Sequence, residues 1–123
     1  MYRFFIILFT MFITFSPFIA YGQEFVVGFE DIPLYNKMTQ QNNNNISFNN
    51  EETRYIEATI VSNKKISINE FKSFYIKTLQ ELGWKLTENS HSLLKFYREN
   101  DILDFKILEN HPLKVLISMK NRY

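Results

Sequence analysis

Two histidines, His91 and His111, and, among 13 carboxylates, Glu51, Glu52, Glu99, Asp101 and Asp104 are the candidates in this 123-residue chain for metal binding or proton transfer. A zinc site takes three or four convergent ligands. Each histidine adjoins turn-forming residues, Asn89-Ser90 or Asn110, and no third ligand stands at a recognisable spacing, so both read as solvated turn residues. An acid–base pair needs two carboxylates held in a sheltered site. No spacing here brings two together, and these acids read as a polar rim. There is no Gly-x-Ser-x-Gly elbow and no cysteine, which removes the usual nucleophiles. With only Gly22, Gly28 and Gly83, there is no glycine loop to cradle a phosphate. The sequence therefore assigns no catalytic, cofactor-binding or metal-ligating residue, and a non-enzymatic protein is expected. One pattern remains: Tyr55 and Glu57 on one predicted strand, Lys95 and Tyr97 on another. Tyrosines beside charged groups suit a partner-binding surface. The alternative is an ordinary solvated face, covered in part by the segment 31–34.

The elements that must position this face are legible from periodicity. Between residues 53 and 62, Ile56, Ala58 and Ile60 alternate with Tyr55, Glu57 and Thr59, the mark of a half-buried strand. A helix over 68–82 follows. Ser67 is a good N-cap and Glu70 stands where a capping box puts its acid, while Ile66 and Phe71 are placed as a hydrophobic staple. Ile68, Phe71, Tyr75, Leu79 and Leu82 recur on one face. Gly83 stops the helix, and Trp84 is placed to pack back on Leu79. Four more strands are predicted at 84–88, 92–99, 102–109 and 112–119, with turn chemistry between them. Their inward sets are Trp84 and Leu86; Leu94 and Phe96; Leu103, Phe105 and Ile107; and Leu113, Val115 and Ile117. Short connections imply antiparallel neighbours. The expected fold is α+β, one helix packed on an antiparallel sheet in the order β-α-β-β-β-β, a two-layer sandwich. By the same alternation Asp104, Lys106 and Leu116 share the outer face with Tyr55, Glu57, Lys95 and Tyr97.

Ahead of this domain (51–123), residues 23–50 read as an extended arm around Asp31-Ile32-Pro33-Leu34 and then a mobile Asn-rich loop. The loop holds Asn42 to Asn45 in unbroken succession, a composition too polar to repay its own ordering.

Residues 1–22 read as an export signal: Arg3, then an apolar run from Phe4 to Phe15 broken only by Thr10 and Thr14, then Ser16-Pro17 and Ala20-Tyr21-Gly22 before a cut between Gly22 and Gln23. The rival is an uncleaved inner-membrane anchor through residues 4–21, since spanning takes roughly 20 apolar residues. Pro17 and the small residues favour cleavage, hence a periplasmic protein. Of 14 basic residues only Arg3 lies before Gln23, so 13 basic and 13 acidic residues remain after the cut. A neutral protein is a poor match for nucleic acid or an anionic membrane surface, both of which demand a basic excess. The absence of cysteine leaves the core to apolar packing without disulfides.

The run from Phe74 to Trp84, with Asp31-Ile32-Pro33-Leu34 before it and Phe96-Tyr97-Arg98-Glu99 after it, resembles a signature of small exported alphaproteobacterial proteins. Arg54-Tyr55-Ile56-Glu57-Ala58 looks like that family's first strand, and the Asn-rich loop replaces a shorter connection. The resemblance implies envelope location and fold but no activity. There is a looser similarity to the helix-grip domains of outer-membrane assembly lipoproteins, which also end a helix near Leu-Gly-Trp; it inclines the functional expectation toward protein–protein contact. That expectation is a module binding another envelope protein through its sheet face or an edge strand. A carrier with an apolar pocket lined by Phe71, Tyr75 and Phe105 is the alternative, and a hydrolase built on scattered acids comes third.

Overall fold

A computed structural model describes residues 24–29, 31–49 and 54–121, the side chains of 42–49 excepted. Among the described residues six antiparallel strands and one helix follow in chain order: β1 (Met38–Asn49), β2 (Arg54–Ser62), α1 (Ile68–Glu81), β3 (Lys85–Ser90), β4 (Leu93–Arg98), β5 (Asp101–Asn110) and β6 (Leu113–Asn121). The strands lie side by side as β1-β2-β6-β5-β4-β3. The chain thus makes a hairpin, crosses through the helix to the far edge, and meanders back until β6 lies beside β2. The expected α+β architecture is present, with one strand more than the alternation predicts.

That strand is the correction. Residues 39–50 were expected to form a mobile loop, yet β1 spans Met38–Asn49 and pairs with β2 from Met38↔Ser62 to Asn49↔Arg54. Side-chain polarity does not bar a strand at a sheet edge, because the ladder is made of backbone groups that every residue carries. Register breaks between Gln41, opposite Thr59, and Ile46, opposite Glu57. Four asparagines therefore stand against Ala58 as a wide bulge, which explains why the tract shows no strand alternation.

The helix begins at Ser67, whose Oγ accepts from Glu70 N at 3.0 Å. Only this half of the expected capping box forms. The Glu70 carboxylate instead accepts from Lys37 Nζ at 2.7 Å and from the Tyr35 hydroxyl at 2.5 Å. Phe71, Tyr75 and Leu79 are fully buried, whereas Leu82, placed on the same face by periodicity, is the C-cap and 40% exposed. Gly83 takes φ +93°, and Trp84 N returns to Leu79 O at 2.9 Å, so the chain reverses as the Leu-Gly-Trp sequence requires.

Six strands span about 24 Å at the usual spacing of roughly 4.8 Å, about twice the width of a helix. One helix cannot cover such a sheet, and the arm supplies the rest of the layer. Residues 24–34 are not simply extended. Val26 N donates to Ile32 O and Leu34 N to Glu24 O, around a turn in which Gly28 has φ +96°. Val26, Phe29, Ile32 and Leu34 join Phe71, Tyr75, Phe96, Phe105 and Ile117 in a single core. The boundary expected near residue 50 therefore does not divide the packing. The arm also lies on the helix side of the sheet, not across the outer face: Tyr75 Oη donates to Pro33 O at 2.8 Å and accepts from Tyr35 N at 3.1 Å, and Tyr35 stacks on Phe74 at 4.5 Å.

The inward sets of β2, β4, β5 and β6 behave as alternation predicts. Ala58, Ile60, Leu94, Phe96, Leu103, Phe105, Leu113, Val115 and Ile117 are buried, while Ile56, Leu86 and Ile107 are partly so. Asn89 and Ser90, expected in a turn, extend β3 to Ser90, and the reversal falls at His91-Ser92.

Candidate functional site

The antiparallel register places the outer-face residues in rows across the sheet. One row runs Tyr55, Lys120, Ile102, Tyr97, Lys85 from β2 to β3. The next runs Glu57, Ser118, Asp104, Lys95, Glu88, and a third runs Thr59, Leu116, Lys106, Leu93, Ser90. Tyr55, Glu57, Lys95 and Tyr97 do share one face, but β6 and β5 stand between the two pairs, a separation of about 14 Å across three strand spacings. They form two ends of one surface rather than a compact patch. Lys120, Ile102, Ser118 and Leu93, which help complete the rows, follow from the alternation that fixes the inward sets, whereas Glu88 reaches this face only through the register break between Leu86 and Glu88.

At the β2 end, Tyr55 Oη donates to Glu57 Oε2 at 2.6 Å. Burial, reinforced by the carboxylate beside it, pushes the Tyr55 phenol up to about 12, so this hydroxyl stays protonated and works as a donor. In the middle of the face Asp104 is half-buried. Removal from water raises its carboxyl above the ordinary aspartate range, and the lysines at 95, 120 and 106 only partly oppose the shift. Its Oδ1 is buried and accepts no hydrogen bond among the described residues. At the β4 end a hollow of about 210 Å³ opens between Thr87, Lys95, the β4 segment at Phe96, Tyr97 and Ile102. The register break between Leu86 and Glu88 lies beside it.

Phe71, Tyr75 and Phe105, the expected lining of a ligand pocket, are in ring-to-ring contact, with centroids 5.0 Å (Phe71–Tyr75), 4.6 Å (Tyr75–Phe105) and 6.2 Å (Phe71–Phe105) apart. The space between helix and sheet is filled by these side chains.

Three separate stretches of the chain, residues 31–34, 82–84 and 96–99, meet at one point. Arg98 lies over the Trp84 ring at 4.2 Å, and its Nη1 donates to Asp31 Oδ2 at 2.8 Å and to Leu82 O at 3.0 Å. Asp31 belongs to the Asp-Ile-Pro-Leu segment, Leu82 and Trp84 to the helix stop, and Arg98 to the Phe-x-Arg-Glu run. Glu99 beside it has φ +55° and makes the β4–β5 turn. These residues thus fasten arm, helix end and sheet together as a structural clasp.

His91 and His111 are exposed at turns, and the described residues hold no cluster of three metal-binding side chains. His111 lines an open groove of about 450 Å³ between the β5–β6 turn and residues 62–66. Among the acids, Glu99 is exposed and Asp101 half-buried at strand ends, apart from Asp104. Glu51, Glu52 and the cleavage pair Gly22 and Gln23 lie outside the described residues. Comparison of the chain with protein-family models, curated proteins and solved structures finds no significant match to any of them.

Proposed function

We propose that this is an exported, non-enzymatic protein-binding module of the bacterial envelope, released into the periplasm by cleavage after Gly22 and engaging its partner through the outer face of the sheet. The observation that carries this reading is the composition of that face. Helix and arm both pack on the other side, and here Tyr97, Ile102, Leu93 and Leu116 are interleaved with Lys95, Lys106, Lys120, Glu57 and Asp104. Apolar anchors within a charged rim are the usual anatomy of a recognition surface. The hollow beside Tyr97 and Ile102 has room for one large apolar side chain, the kind of insertion that dominates interface energetics. Mixed charge gives orientation and selectivity without a general affinity for polyanions.

The test is affinity capture from cells expressing tagged wild type, Ile102→Asp or Lys77→Glu, the last on the exposed side of the helix. Ile102→Asp is expected to lose the captured partner while retaining the wild-type melting temperature, and Lys77→Glu to keep it. Equal capture by all three would remove the outer face from the interaction. The filled aromatic core gives the carrier reading no comparable support.

A further inference from the structure

The two edges of the sheet are not alike. β3 is six residues long, carries Lys85 and Glu88, and breaks register between Leu86 and Glu88. Lys72 Nζ closes its end by donating to Asn89 Oδ1 at 2.9 Å and Ser90 O at 2.7 Å. Shortness, charge and a bulge are the devices that stop a foreign strand from adding to an edge. β1 has only the bulge. Its 12 residues, Met38–Asn49, include no Lys, Arg, Asp, Glu or His. The bulge divides β1 into two stretches in register with β2, and the first is tied to the arm: the Gln40 side-chain amide accepts from Val27 N at 2.7 Å and donates to Val27 O at 3.2 Å. The second stretch, Ile46-Ser47-Phe48-Asn49, pairs with β2 and with no other strand among the described residues.

We propose that this stretch is a self-association edge, on which residues 46–49 of one copy add antiparallel to residues 46–49 of a second copy across a two-fold axis. The occupant is a second copy because the segment complements itself. It carries no charge to repel its own image, whereas like charges set opposite each other in a sheet are destabilising. Ile and Phe favour extended backbone, and Asn and Ser both donate and accept hydrogen bonds. Symmetry about Ser47 sets Ser47 opposite Ser47 of the second copy and Ile46 opposite Phe48, pairs that share a face of the sheet as an antiparallel ladder requires. Such an interface closes on itself at the dimer, and the guarded β3 edge prevents growth into a filament. The contact is small by the standard of stable interfaces, so the dimer forms at high local concentration and exchanges rapidly. It is independent of the outer face.

The test is sedimentation velocity on protein purified from the envelope fraction, from micromolar to near-millimolar concentration. A monomer–dimer equilibrium is expected for wild type, abolished by Ser47→Lys and unaffected by Ile102→Asp. Because the chain lacks cysteine, Ser47→Cys supplies a sole thiol. Directly opposed antiparallel residues have Cα atoms about 4.5–5.5 Å apart, within the roughly 4.4–6.8 Å a disulfide spans. Mild oxidation is expected to link Ser47→Cys into dimers and to leave Thr87→Cys, on β3, monomeric. A wild type that stays monomeric throughout, a dimer that survives Ser47→Lys, or equal linking from both cysteine variants would overturn the proposal. Should Ser47→Lys fail to fold, the wild-type sedimentation and the cysteine pair decide alone.

Discussion

Replacing Arg98 with alanine dismantles the clasp that holds the arm to the rest of the core, and its cost can be worked from three contacts. The guanidinium over Trp84 at 4.2 Å is worth about 0.5–1 kcal/mol. The charge-assisted bond to the Leu82 carbonyl contributes roughly 1.5 kcal/mol, the lower end of the range for charged partners because the contact is exposed. The Asp31 pair adds about 0.2–1 kcal/mol, discounted because the Asp31 side chain is 43% exposed and its field is screened by solvent. The expected total is about 2–4 kcal/mol, and at roughly 4–8 °C per kcal/mol for a domain of this size the melting temperature should fall by about 10–30 °C. Differential scanning calorimetry measures the shift. Amide exchange locates it, because Val26 N and Leu34 N, which close the arm loop, should lose protection first. Arg98→Lys should recover the charge but not the stacked, forked geometry, and so fall between the two. Asp31→Asn alone should cost no more than its share. An unchanged melting temperature for Arg98→Ala, or exchange that spares the arm, would refute the clasp.

Three further outcomes follow from the same geometry. Asp104→Asn should stabilise the protein at neutral pH: a carboxyl raised by folding binds its proton more tightly in the native state, so native stability falls as pH rises through and above the ordinary aspartate range, and the advantage of asparagine should vanish in acid below it. Chemical denaturation at two pH values checks this, and an equal effect at both would contradict it. Tyr75→Phe should cost about 1–3 kcal/mol, since its buried hydroxyl serves Pro33 O and Tyr35 N together; a neutral substitution would mean the arm does not depend on that bond. Deleting three of the four asparagines 42–45 should leave a folded protein of equal or higher stability, because one residue then faces Ala58 and the β1–β2 ladder runs without a bulge; loss of the fold would show that the bulge is required.

The meander of four strands, the helix and their inward faces could be read from the sequence because each signal was local: alternation of period two, a cap, a glycine stop. β1 could not. Its pairing depends on β2 offering an edge, and nothing in a run of asparagines announces a bulge. Glu70 shows the same limit on a smaller scale. The capping-box spacing is real, but Lys37 and Tyr35, more than thirty positions away, take the carboxylate and hold it below the usual glutamate range. The arm was misplaced because the width of the sheet, which sets how much cover the helix side needs, becomes known only once six strands are counted. For the candidate face, the four residues Tyr55, Glu57, Lys95 and Tyr97 were assigned correctly to one side. Their separation by β6 and β5 could not be seen, because strand order is a long-range property. The hollow at Tyr97 and Ile102 lies beside the β3 register break, which has no sequence signal at all.

The most direct test of the outer face as a partner-binding surface is site-specific photocrosslinking in living cells, with the photoreactive side chain placed at Tyr97 on the outer face or at Lys77 on the exposed side of the helix. A discrete crosslinked species that forms from position 97 and not from position 77 is the expected result. No adduct from position 97, or the same adducts from both positions, would contradict it.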